Sequence, residues 1–180
     1  MNPLILPIAL LAGGGAGFGW WLGRRPANSG REDTAEASIP MTAVDAPELL
    51  SSLGWPYFYG RGGPSTPWAD GPLGVDCSGY AQMALVKLGL LSASASDRGA
   101  KALADGSTPV QLGSQRPGDL AYYPGHVMVV CGQAGAGGHS PVIGASGGTR
   151  TTLGTDPNAR IKTFDSGKYR SDFVTYMRLK

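Results

Sequence analysis

The longest apolar stretch of the chain is at its beginning. No charged residue occurs from Pro3 to Gly23, and the run from Leu4 to Ala12 is almost wholly aliphatic. At about 1.5 Å of rise per residue, an uncharged run of this length reaches roughly the 30 Å of a bilayer's hydrocarbon core. The pattern therefore predicts a single membrane-spanning helix within residues 1–25. Trp20 and Trp21, followed by Arg24 and Arg25, read as an interfacial belt and a charged stop. A cleaved signal peptide is the competing reading, with Gly14 and Ala16 as small residues before a cut. Such peptides carry their basic residues before the apolar core, whereas here the arginines follow it. Gly13, Gly15, Gly17, Gly19 and Gly23 fall in overlapping G-x-x-x-G spacings that can pack one such helix on another.

Residues 26–44 are polar, rich in alanine and serine and without apolar periodicity, so they read as a flexible linker. Periodic structure is expected over 45–180. Asp45-Ala46-Pro47-Glu48 has the form of a capping box with proline in the first turn, opening a short helix through Leu49, Leu50 and Leu53 that Gly54 ends. An aromatic cluster, Trp55-Pro56-Tyr57-Phe58-Tyr59, and a glycine/proline loop lead to a longer helix over about Ser78–Leu88 with Gly89 as its stop. A second short helix falls near Asp97 to Ala104. Beyond the Arg116-Pro117-Gly118-Asp119 turn the period changes to that of strands. These are Leu120 to Tyr123, a central one from Gly125 to Gly132, then Pro141 to Ala145, Arg160 to Phe164 and Asp172 to Leu179. Helices first and antiparallel strands second make an α+β domain.

Composition narrows the function classes. The 180 residues carry 15 basic and 13 acidic side chains, for a net charge of +2. Basic residues are scattered, which argues against a nucleic-acid partner. Cys77 and Cys131 do not make a disulfide framework. The two cysteines and two histidines show no recognised metal-ligand spacing, and neither a metal nor another cofactor is expected.

The chemistry concentrates at Gly74-Val75-Asp76-Cys77-Ser78-Gly79-Tyr80. A cysteine at the first turn of a helix faces unpaired N–H groups and the positive end of the macrodipole, which favour the thiolate. Asp76 reads as the N-cap that starts the helix there. A buried structural cysteine is the competing reading, since cysteine is among the most buried residue types. His126 opens the central strand, where an imidazole packed against the helix of Cys77 can take the thiol proton and return it to a leaving amine. Cys131 has the opposite parity and should behave as a small core hydrophobe.

Tyr57-Phe58-Tyr59-Gly60, Asp76-Cys77-Ser78-Gly79, Arg116-Pro117-Gly118-Asp119-Leu120 and Gly125-His126-Val127 occur in the order and spacing of the NlpC/p60 cell-wall cysteine peptidases. Residues 45–180 resemble that family. The resemblance implies a papain-like α+β fold with N-terminal helices packed on an antiparallel sheet. It implies hydrolysis of peptide bonds in peptidoglycan stem peptides, commonly the γ-D-glutamyl to diamino-acid bond, through an acyl-enzyme. Cys77 would be the nucleophile and His126 the base. Tyr57 would place its hydroxyl beside the thiolate, and the Cys77 backbone N–H would help bind the oxyanion. The family's polar third residue, often histidine, falls on Gly144 here. Ser146, on the same strand face, and His139, in the preceding loop, are the two candidates to orient the imidazole in its place.

These features lead to a membrane-tethered, single-pass cysteine endopeptidase whose partner is peptidoglycan. An amidase or acyltransferase on the same scaffold, or a non-catalytic or catalytically weak structural or binding protein of a cell envelope or phage particle, are the other readings. Arg24 and Arg25 would draw the C-terminal domain to the cytoplasmic side. That conflict with a cell-wall substrate is resolved if the protein is carried in the membrane of a phage particle, as a lysin.

Overall fold

The computed structural model describes residues 44–180. The expected membrane helix of residues 1–25 lies outside the described residues, as does the linker but for its last residue. Among the described residues no helix is long and apolar enough to cross a membrane.

Two 3₁₀ turns, Pro47–Ser52 and Trp68–Leu73, precede α1 (Cys77–Lys87) and α2 (Ala100–Asp105). A six-stranded antiparallel sheet follows, with β1 (Ser107–Val110), β2 (Leu120–Tyr123), β3 (His126–Val130), β4 (Pro141–Ser146), β5 (Arg160–Asp165) and β6 (Thr175–Leu179). A single turn, α3 (Ser166–Tyr169), sits between the last two strands. Strand order is β1-β6-β2-β3-β4-β5, so β2 and β3 are central. The α+β class and the helix-on-sheet layering agree with the expectation.

Every residue of α1 from Gly79 to Leu85 is buried. The helix is apolar on all sides because the sheet covers one side and the loops and turns before and after it cover the others. Tyr80, Met83 and Leu85 pack with Leu120, Val127, Val129, Cys131 and Ile143 in the larger core. Cys131 is fully buried there, as its parity implies. Residues of the other parity, with Tyr123, Met128, Val130, Phe164 and Tyr176 among them, build a second core on the opposite face. Gln82 is buried within α1 and fully used. Its amide donates to Asp97 at 2.7 Å and to the Arg98 carbonyl at 2.9 Å, and its oxygen accepts from the Arg98 N–H at 2.9 Å. This fixes the loop leading into α2 against α1.

Several expectations need correction. The Asp45–Glu48 capping box does not form: Ala46 occupies the N-cap without a side-chain bond, and the Asp45 N–H donates to the Cys131 carbonyl. The segment is a 3₁₀ turn rather than an α-helix. β1, an edge strand containing Pro109, and α3 were not anticipated. The Pro-Gly-Asp-Leu element is structural. The buried Asp119 accepts from the Arg116 N–H at 2.9 Å and takes Arg178 of β6 bidentately at 2.7 Å on each oxygen. That pair ties the last strand to the start of β2.

Candidate active site

Asp76 starts α1 as expected. Its Oδ1 accepts from the Gly79 N–H at 2.7 Å and from the Ser78 hydroxyl at 3.0 Å, while Oδ2 accepts from the Gly60 N–H at 2.8 Å. One carboxylate therefore caps the helix and holds the preceding loop over its first turn. The glycine of Asp-Cys-Ser-Gly is required by that loop, since a Cβ on Gly79 would lie 2.2 Å from the Arg61 carbonyl oxygen.

Cys77 is half-buried at the head of α1. Its sulfur is approached by the N–H groups of Val127, Ser78 and Cys77 itself, which favour the thiolate. Burial, and then the Asp76 carboxylate, outweigh them and push the thiol up to about 11. The helix terminus does what the sequence implied, but the residue that caps it adds a negative charge beside the sulfur. At neutral pH the resting group is a thiol.

His126 is the first residue of β3, following a two-residue hairpin turn in which Pro124 precedes Gly125, whose φ is +72°. The Val127 N–H that approaches the Cys77 sulfur belongs to the peptide joining His126 to Val127. The backbone at His126 thus lies beside the Cys77 sulfur at one end of the central strand, but the ring does not turn toward the helix of Cys77 as the sequence led us to expect. Cys77 comes from the α1 side, while the His126 ring has the parity of the opposite face. There it packs beside Tyr123 and Tyr169, with ring centroids at 6.1 and 5.6 Å. Its Nε2 is 3.2 Å from the Tyr169 hydroxyl, and among the described residues no hydrogen bond joins the ring to the Cys77 sulfur. Burial, with the Arg170 guanidinium, holds the imidazole down at about 3 against the opposing Asp172. It is a neutral base at physiological pH.

Tyr57 lies in the core beside Cys77, bridged to Val75 just ahead of the helix. Burial, then Cys77 and Asp76, raise its hydroxyl well above the usual tyrosine range, so it remains a neutral donor. Gly148 gives the Tyr57 ring its space, since a Cβ there would fall 2.2 Å from it.

Of the two candidate orienting residues, Ser146 is at the site and His139 is not. The Ser146 hydroxyl is 2.9 Å from that of Tyr169. His139 contacts Phe173 and Tyr176 and lines a separate cavity with Asp45 and Asp165. Tyr169 went unrecognised in the sequence because it is 43 residues from His126 and lies in no periodic segment. Among the described residues no cluster of His, Cys, Asp and Glu could hold a metal ion.

A cavity of about 320 Å³ opens over Cys77, lined by Tyr57, Tyr59, Asp76, Asp97 and Arg98, with glycines at 60, 62 and 99. Charges of both signs stand around a backbone-lined floor, a surface a peptide can approach closely.

No protein-family model and no curated protein matches the chain. Among solved structures, the fold is similar to the crystal structure of a protein described as similar to lipoprotein, of the NLP/P60 family, from Staphylococcus aureus subsp. aureus Mu50. The TM-score is 0.51 at 20% identity over 82% of this chain. The chain spans 44% of the length of that protein. The likeness establishes that this domain has the NLP/P60 fold.

Proposed function

We propose that this protein is a cysteine peptidase that hydrolyses peptide bonds in peptidoglycan stem peptides, with Cys77 as nucleophile and His126 as base. The observation that carries the reading is the approach of the Cys77 sulfur to the peptide that follows His126, on the floor of an open cavity. With the thiol held up at about 11 and the imidazole down at about 3, the resting pair is neutral. His126 therefore takes the thiol proton as attack occurs rather than before it. The sulfur bonds to the substrate carbonyl carbon, and the oxyanion is met by the Cys77 N–H at the head of α1, with Tyr57 as a second donor. Collapse breaks the carbon–nitrogen bond, and the imidazolium returns its proton to the leaving amine. Water, deprotonated by His126, then splits the thioester to a carboxylate and the free thiol. Catalytic hydrogen bonds are often absent or poorly aligned without substrate, and one between Cys77 and His126 is expected to form on binding.

The γ-D-glutamyl to diamino-acid bond is the favoured target, on the strength of the motif resemblance. A membrane-held enzyme facing the wall, or carried in a phage particle's membrane, is the setting that the apolar N-terminus supports. Mass spectrometry of peptidoglycan digests tests the reaction class. New amine and carboxylate ends within the stem peptide are expected. Release of whole stem peptides from the glycan would make the protein an amidase, and undigested wall would remove the enzymatic reading.

A further inference from the structure

We propose that Tyr169 is the positioning residue for His126, holding the imidazole with its proton on Nε2 and the Nδ1 lone pair free for the Cys77 thiol. This rests on the peptidase reading above for its consequence in catalysis, though the orientation of the ring can be measured without it.

On the strand that in the resembling family provides such a group, the position is Gly144, closely packed by a neighbouring side chain. The register of β3 with β4 pairs Val129 with Ile143 and Val130 with Val142. Continued along the strands, it sets Gly144 opposite Met128 and Ser146 opposite His126. A Cβ on Gly144 would lie 3.2 Å from both Cγ and Cε of Met128, so the methionine fills the space that a side chain at 144 would need. Ser146 is level with the imidazole, and the Tyr169 hydroxyl stands between them, 3.2 Å from His126 Nε2 and 2.9 Å from the Ser146 hydroxyl.

Tyr169 is itself well held. Its ring packs on Phe164 at 4.5 Å and meets Tyr123 edge-on at 5.4 Å. The α3 turn that delivers it is capped by Asp165, which accepts from the Gly167 N–H at 3.0 Å, and is anchored by the Tyr123 hydroxyl donating to the Ser166 carbonyl at 2.9 Å.

Proton placement follows from the donor inventory. For Nδ1 to accept from a thiol, Nε2 must carry the ring proton and donate it to the Tyr169 oxygen. The tyrosine proton then points to Ser146. A neutral phenol orients the ring without adding a negative charge to a base already kept neutral by burial.

The test is the tautomer of His126 in the full-length protein, read from ¹⁵N chemical shifts and long-range ¹H–¹⁵N correlations at pH 7. Only two histidines exist, so His139→Gln assigns the signals. The wild type should show the Nε2–H form. Tyr169→Phe keeps the ring and removes the oxygen. It should give a tautomer mixture, and kcat should fall about 10–100-fold with KM nearly unchanged. Ser146→Ala, which removes the acceptor and keeps Tyr169, should shift the mixture in the same direction and serves if Tyr169→Phe does not fold. An Nδ1–H ring in the wild type would overturn the proposal, as would an unchanged tautomer in both variants. A wild type with the Nε2–H form, lost in Tyr169→Phe, but without hydrolysis would support the positioning and sink the peptidase reading.

Discussion

The two faces of the sheet are built from different chemistry. The α1 face is mostly aliphatic, with Leu120, Val127, Val129, Ile143 and Ile161 packed under the buried helix. The opposite face is aromatic and hydroxyl-rich, with Tyr123, Phe164, Tyr169, Phe173 and Tyr176 around His126 and His139. On that face Ser140 N–H donates to the Tyr176 hydroxyl at 3.0 Å, and the Tyr176 and Ser166 hydroxyls are bonded to each other. One face secures Cys77 by burying the helix that carries it, which gives a strong but non-directional hold. The other holds the His126 ring between aromatic rings and the Tyr169 hydroxyl, a directional hold. β3 links the two, with its first peptide beside the Cys77 sulfur and the His126 ring on the aromatic face. Stability and proton placement are therefore separable, and substitutions on each face should divide along that line.

The largest stability effect is expected from Leu85→Ala on the α1 face. Removing a fully buried leucine costs about 2–5 kcal/mol, including the cavity it leaves. Urea melts should show that loss, while the His126 tautomer in the folded fraction stays as in the wild type. A changed tautomer would mean that the faces are not independent.

Asp76→Asn is expected to cost about 1 kcal/mol, since the amide can keep the cap to Gly79 but not the carboxylate's acceptor to Gly60. The same change removes a charge that raises the Cys77 pKa, so iodoacetamide should label Cys77 faster at pH 8 than in the wild type. Slower labelling would contradict the electrostatic account. In both proteins Cys131, fully buried and pushed up to about 12 chiefly by burial, should label last.

Stability should also depend on pH through His126. The His126 pKa is about 3 in the folded chain against an ordinary 6.5, so between these values the unfolded chain binds more protons. Stability should therefore rise with pH across that window, with the gain complete above about 6.5. His126→Gln should flatten this slope in melts at pH 4 and pH 7, and an unchanged slope would place the acid sensitivity elsewhere.

Much of this was legible in the sequence where the signal is local. Asp76, Cys77 and the apolar run behind them specify a capped helix, and Gly125-His126-Val127 with its strand pattern specifies a histidine at a strand end. What was hidden depends on distant partners. β1 contains Pro109, which removes a ladder donor and reads as loop, yet it is tolerated at the edge of a sheet beside β6. The four residues of α3 are too few to leave a periodic pattern, and with α3 went Tyr169. The acidic residue in the apparent capping box at Asp45 was legible, but its backbone was already engaged by Cys131. The raised thiol pKa is hidden for a similar reason: the helix end is visible in sequence, whereas burial of the sulfur is not.

The central claim, that Cys77 carries out peptide hydrolysis, is tested most directly by digesting purified peptidoglycan with equal amounts of folded wild type and Cys77→Ala and comparing the released peptides by mass spectrometry. The account predicts stem-peptide fragments from the wild type and only background from the variant. Identical fragments at similar rates from both proteins would contradict it.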